Sequence, residues 1–123
     1  MVDMITILQE NEYFVFGSNL LGSHGAGAAL FAKENFGAIE GQAEGLQGRC
    51  YAIPTLTKDF QQREYSDLKT SIQKFMNFAI ENPDKKFLMS AIGTGIAGFS
   101  ESYMQGFFRY IDVPDNIIKP KGW

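Results

Sequence analysis

Two glycine-rich segments of this chain combine bare backbone with a few polar side chains in a pattern suited to holding an anion. The first runs Gly17-Ser18-Asn19-Leu20-Leu21-Gly22-Ser23-His24-Gly25-Ala26-Gly27-Ala28-Ala29, the second Ile92-Gly93-Thr94-Gly95-Ile96-Ala97-Gly98-Phe99. Each follows an apolar run that reads as a buried strand and precedes a stretch with helical periodicity. A loop in that position presents backbone N–H groups and a helix N-terminus, and both attract anions. Two such loops facing one ligand suit a nucleotide that carries two phosphates. The candidate ligand contacts are therefore Gly17, Ser18, Asn19, Gly25, Ala26, Gly27 and Ala28 in the first loop. In the second they are Ile92, Gly93, Thr94, Gly95, Ile96, Ala97, Gly98 and Phe99.

Catalysis needs a group that these loops do not obviously supply, a general base within hydrogen-bond reach of an attacking water. His24, Glu44, Lys58 and Asp59 are the nearest titratable side chains by sequence, and Asn19, His24 and Asp59 are the catalytic candidates. Each also has a plainer reading: Asn19 as a turn residue, His24 as a support for its loop, and Lys58-Asp59 as a charged turn after Pro54. Ser18 and Cys50 have no evident basic partner, which speaks against a nucleophilic mechanism. One cysteine and one histidine cannot form a disulfide or the usual zinc cage, so neither a metal nor a cofactor is expected.

The chain must fold to hold these loops. Its 123 residues, 45% hydrophobic, suffice for one core, so one domain over residues 1–123 is expected. The net charge of −3 and the scarcity of basic pairs, Lys85-Lys86 and Lys119 with Lys121, argue against a nucleic-acid partner. A small phosphorylated ligand stays compatible, because amides and helix dipoles hold phosphate without a lysine cluster. No apolar stretch approaches the roughly 20 residues of a membrane span. Met1-Val2-Asp3-Met4 lacks the basic and apolar regions of a secretory signal, and a cytoplasmic protein without a membrane partner is expected. Nothing in the sequence sets an oligomeric state.

Periodicity supplies the elements. Residues 5–8 and 13–16 read as strands separated by a polar turn, and a helix is expected from Gly25 to Phe36, closed by Gly37. Residues 37–49 hold too many glycines for a helix and read as a shaped loop. Arg49 to Ile53 reads as a strand stopped by Pro54. Leu68, Ile72, Phe75, Met76 and Ala79 put an apolar stripe on a helix from Ser66 to Asn82. Residues 87–92 read as a buried parallel strand. Ser100 is expected to cap a helix whose inner face is Met104, Phe107, Phe108 and Ile111, and residues 116–119 form the last strand. The alternation predicts an α/β domain with a mixed, mostly parallel sheet, its loops at the carboxyl ends of strands where such sheets bind ligands.

The second loop also spells G-x-G-x-x-G, which raises a dinucleotide-binding fold. That fold needs the motif in its first βαβ unit, with an acidic residue ending the second strand about 20 positions on. Here the motif comes late, and Asp112 and Asp115 precede the final strand.

Taken together, the loops resemble those of a macrodomain, the α/β module that binds ADP-ribose. Asn19 followed by Gly25-Ala26-Gly27-Ala28-Ala29 is similar to the family's first loop, and Ala91-Ile92 through Gly98-Phe99 to its second. Tyr13 to Asn19, with Tyr51-Ala52-Ile53-Pro54-Thr55 and Lys58-Asp59, is similar to a compact macro-like type from phage and bacteria, over about residues 13–113. The resemblance implies a three-layer sandwich and an ADP-ribose-type ligand, with amides of residues 93–98 on the diphosphate. It also implies Phe99 over a sugar or base and Asn19 at the distal ribose. The family's adenine-reading aspartate falls near Ile5 and is absent here. Ala97 stands where the family often has tyrosine, which leaves room for a modified or cyclised ADP-ribose. Such a protein either holds its nucleotide, as a phage sponge for an NAD-derived defence signal would, or acts as an ADP-ribosyl hydrolase or ADP-ribose phosphatase.

Overall fold

The computed structural model describes residue 5 and residues 7–123. In chain order its elements are β1 (Glu12–Asn19), α1 (Gly27–Phe36), β2 (Gly45–Gln47), β3 (Cys50–Leu56), α2 (Tyr65–Glu81), β4 (Lys86–Met89), α3 (Glu101–Gln105) and β5 (Ile117–Ile118), with a 3-10 turn at Gly106–Phe108. The strands make one sheet in the order β2-β3-β1-β4-β5, parallel throughout except for β2, which runs antiparallel to β3. This is an α/β protein, with a mixed, mostly parallel sheet and three α-helices among the described residues.

Alternation of side chains along the central strands divides the core in two. Phe14 and Phe16 of β1 join Cys50 and Ala52 of β3 in a cluster closed by Ala29 and Ala32 of α1. The intervening Val15, Tyr51 and Ile53 join a larger cluster with Leu68, Ile72, Phe75, Met76 and Ala79 of α2, and with Met104, Phe107 and Phe108. The α2 residues in this cluster are those of the predicted stripe. Aromatic rings pair within both clusters, as in the edge-on pairing of Phe75 with Phe87 at 5.4 Å and the stacking of Phe14 on Phe16 at 6.2 Å. Among the described residues no helix is long and apolar enough to cross a membrane.

Several elements differ from the sequence reading. Of the first expected strand, Ile5, Ile7 and Leu8 are not in a strand, and Thr6 lies outside the described residues, as does the Met1–Met4 segment. The glycine-rich stretch 37–49 contains β2, whose three residues are too few for a periodic signal. Its glycines do shape the chain: Gly37 caps α1 at φ 81° and donates to the Ala32 carbonyl. β3 runs through Pro54 to Leu56 instead of stopping there. β2 pairs only with Cys50, Tyr51 and Ala52, so at Pro54 that flank of β3 has no ladder to break. Ser100 caps α3 as expected, accepting from Tyr103 N at 3.1 Å. The helix is short, however, and Ile111 lies 46% exposed beyond it instead of on its inner face.

Candidate functional site

Three parallel neighbours, β3, β1 and β4, release their chains at the same edge of the sheet. Crevices of this kind are where open α/β sheets bind ligands. The cleft there has a volume of about 490 Å³ and is lined by both glycine-rich loops, the start of α1, Thr55 and Leu56 at the end of β3, and Phe60 after it. Its floor is tight: a Cβ on Gly17 would stand 3.3 Å from Gly93 N and 3.4 Å from Thr55 Oγ1.

The sequence candidates Gly17, Ser18, Asn19, Gly25, Ala26, Gly27 and Ala28, and Ile92 to Ala97, all line this cleft. Gly98 and Phe99 do not. They line a separate, shallower depression with Gln62, Arg63 and Tyr103. The Phe99 amide donates to Gly93 O at 2.9 Å, closing the loop, and the Phe99 ring stacks on Tyr103 at 5.2 Å. It therefore packs toward α3 and away from the cleft, and the expected cover for a sugar or base is not formed by this residue.

The polar inventory of the cleft is unusual in what it offers. Among the described residues, the backbone N–H groups of Gly25 to Ala29 and of Gly93, Gly95, Ile96 and Ala97 donate to no protein acceptor. Thr94 N and Gly98 N are spent inside the second loop, on Ala91 O and Gly95 O, so only part of the expected 93–98 cradle is open. α1 begins at Gly27, two residues later than expected, because Ala26 is extended. Its N-cap Ala26 has no side chain to bond the first amides, and its first turn has no acidic residue. α3, in contrast, has the Ser100 cap and Glu101, and α2 has Asp67 in its first turn. The positive end of α1 is left uncompensated by the protein.

Among the described residues no ionisable side chain lines the cleft. The hydroxyls of Ser18, Thr55, Ser90 and Thr94 donate to the backbone oxygens of Ala43, Ser18, Val15 and Ala91. Their oxygens can still accept a hydrogen bond from a ligand, but their O–H groups are already engaged. The titratable candidates lie elsewhere. Lys58 and Asp59 are exposed in the turn after β3, and Glu44 pairs with Lys74 of α2 at 3.8 Å.

His24 is fully buried, edge-on to Phe16 at 5.4 Å, and its Nε2 lies 3.1 Å from Gln47 Oε1. Gln47 Oε1 also accepts from Ile39 N at 2.8 Å, while Gln47 Nε2 donates to Gln42 O and Gly45 O. With its carbonyl end so defined, Gln47 requires His24 to donate from Nε2. His24 N in turn donates to Glu40 Oε1 at 3.1 Å. The hydrogen bond from Lys33 and then that from the His24 amide hold the Glu40 carboxyl below the usual carboxylate range. His24 is thus a support for the first loop, with no access to the cleft.

Asn19 lines the cleft, but its amide is already engaged. Nδ2 donates to Ser23 O at 2.9 Å, and Oδ1 accepts from Ser23 N at 3.0 Å. Its first role is to close the turn 19–23. Burial pushes the Cys50 thiol up to about 12, which leaves it a poor nucleophile.

Thr55, Phe60, Ser23 and Ser90 were missed as lining residues. The strand end at Thr55 carried a usable signal, since it is a third parallel strand terminus. Phe60 carried none, because the turn expected at Lys58-Asp59 does not reveal that the residue after it reaches the cleft. No protein-family model, curated protein or solved structure matches this chain.

Proposed function

We propose that the cleft binds an ADP-ribose-type or other NAD-derived nucleotide by its diphosphate and holds it chemically intact. The single observation that carries this reading is the convergence of two sets of unpartnered backbone amides, from the uncapped start of α1 and from the second loop, on one uncharged cleft. A phosphate placed there accepts several hydrogen bonds and meets the positive end of a helix dipole. The reading takes the molecule as a three-layer, macrodomain-like sandwich, with α1 over one face of the sheet and α2 and α3 over the other.

The absence of an ionisable side chain among the lining residues favours holding over hydrolysis, which requires a base at the reacting carbon. A domain of this kind suits sequestration of a cytoplasmic signal made from NAD, as a phage protein that blunts a host defence would use it. Titration calorimetry with ADP-ribose and its cyclic isomers tests the reading, with Gly95→Val as the control. A Cβ at Gly95 meets nothing within 4 Å and Gly95 is not left-handed, so valine is tolerated by the fold while adding bulk to a residue that lines the cleft. Binding by the wild type, weakened more than tenfold in a folded variant, supports the proposal. Release of more than one product per protein molecule points instead to the hydrolase.

A further inference from the structure

The only aromatic side chain among the described residues lining the cleft belongs to Phe60, which lies in neither glycine-rich loop. Its backbone is left-handed, at φ 61°, a conformation that bulky L residues avoid and that glycine adopts freely. The turn is pinned in this shape. Phe60 N donates to Thr57 O at 3.0 Å, Thr57 N to Gln61 O at 2.8 Å, and Gln61 N to Thr57 Oγ1 at 3.1 Å. Gln62 Nε2 donates to Ala97 O at 2.8 Å, which ties the turn to the second loop beside the open amides.

None of this serves the core. Phe60 is 50% exposed and belongs to neither apolar cluster. A phenylalanine held in a disfavoured conformation, half-exposed at the lip of a cleft, is placed to use its ring face. We propose that Phe60 is a stacking platform for a planar heteroaromatic ring, adenine or a pyridine, that the bound nucleotide carries beyond its phosphates. This rests on the nucleotide reading of the cleft. Stacking requires no charged partner, in keeping with a lining that has none, and it accepts any base because every base has a π-face.

Titration calorimetry of the wild type, Phe60→Gly, Phe60→Trp and Tyr110→Gly, with pyrophosphate, ADP-ribose and NAD, tests the assignment. Tyr110 is the matched control, since it has the same left-handed backbone, at φ 59°, but is 99% exposed and does not line the cleft. The expected result is about tenfold or greater loss of ADP-ribose or NAD affinity in Phe60→Gly, with pyrophosphate affinity unchanged. Phe60→Trp retains binding, and Tyr110→Gly leaves every affinity unchanged. A loss for both nucleotides assigns adenine to the platform, and a loss confined to NAD assigns the pyridine. Phe60→Gly should also melt no lower than the wild type, because strain is relieved.

Unchanged nucleotide affinity, an equal loss for pyrophosphate, or a lower melting temperature in Phe60→Gly would each overturn the assignment. Wild-type binding of pyrophosphate without either nucleotide would overturn it while leaving the anion site standing. Binding of none of the three would overturn the proposed function as well.

Discussion

The two loops that meet at the cleft are held by different means. The second loop is held mostly from within: Phe99 N to Gly93 O, Gly98 N to Gly95 O and Thr94 Oγ1 to Ala91 O close it, and Gln62 Nε2 to Ala97 O is the added bond from another segment. The first is held mostly by residues that lie after α1. Gln47 reaches His24, Glu40 accepts from the His24 amide, Ala43 O accepts from Ser18, and Gly41 N donates to Gly22 O at 2.8 Å. Both loops lead into helices, but the second needs little outside support, whereas the first borrows its shape from a neighbouring segment. The first loop is accordingly the one that distant substitutions can loosen.

The largest effect should come from Gln47→Leu. Gln47 is 2% exposed and takes part in four hydrogen bonds, so leucine leaves Ile39 N, His24 Nε2, Gln42 O and Gly45 O without their partner. A loss of about 3 kcal/mol or more is expected in urea denaturation, together with weaker nucleotide binding. A loss under about 1 kcal/mol would mean that the first loop stands without this support.

In the second loop the contrast lies between two glycines. Gly93→Ala should cost about 2 kcal/mol, because Gly93 is left-handed at φ 77° and a Cβ there meets Met104 Sδ at 2.9 Å. Gly95→Ala should change stability by less than about 0.5 kcal/mol while lowering affinity. Equal stability losses at the two positions would show that the loop is not held as described.

Asn19→Ala removes the paired bonds to Ser23 and should cost about 1 kcal/mol, with binding weakened a few-fold through the loop. Asn19→Asp keeps the acceptor for Ser23 N and loses the donor to Ser23 O, so an intermediate effect on denaturation sharpens the assignment.

The smallest effect at neutral pH belongs to β3, the strand beneath both loops. Burial pushes Cys50 up to about 12, and burial followed by the Glu44 charge pushes Tyr51 up to about 12. Above about pH 9 the unfolded chain releases these protons while the folded chain keeps them, so stability falls as pH rises toward 12. Near pH 7 and 8 it should stay level. Thiol labelling should follow the same logic, slow in the native protein and fast in urea. Rapid native labelling at pH 8 would contradict the burial of Cys50.

These contrasts track what was legible in the sequence. Positions of most of the second loop, the α2 stripe and the Ser100 cap could be read because each depends on residues a few positions apart. The strand-to-helix order was legible from Tyr13 onward except for β2, while the strand expected at residues 5–8 is not present at Ile5, Ile7 and Leu8. Gln47 could not be matched to His24, because their pairing requires β2 to fold back along β3, and three residues carry no period. Continuation of β3 through Pro54 depends on where its neighbour ends. The departure of Phe99 from the cleft depends on Tyr103 offering a ring face. Phe60 was invisible because its left-handed backbone is imposed by bonds from Thr57, Gln61 and Ala97.

The central claim is that amides from both loops serve one phosphate-bearing ligand. An NMR titration of uniformly 15N-labelled protein with ADP-ribose tests it most directly. The amides of Gly25 to Ala29 and those of Gly93, Gly95, Ile96 and Ala97 are expected to shift together and saturate at the same ligand concentration. Shifts confined to one loop, or absent from both at saturating ADP-ribose, would contradict it.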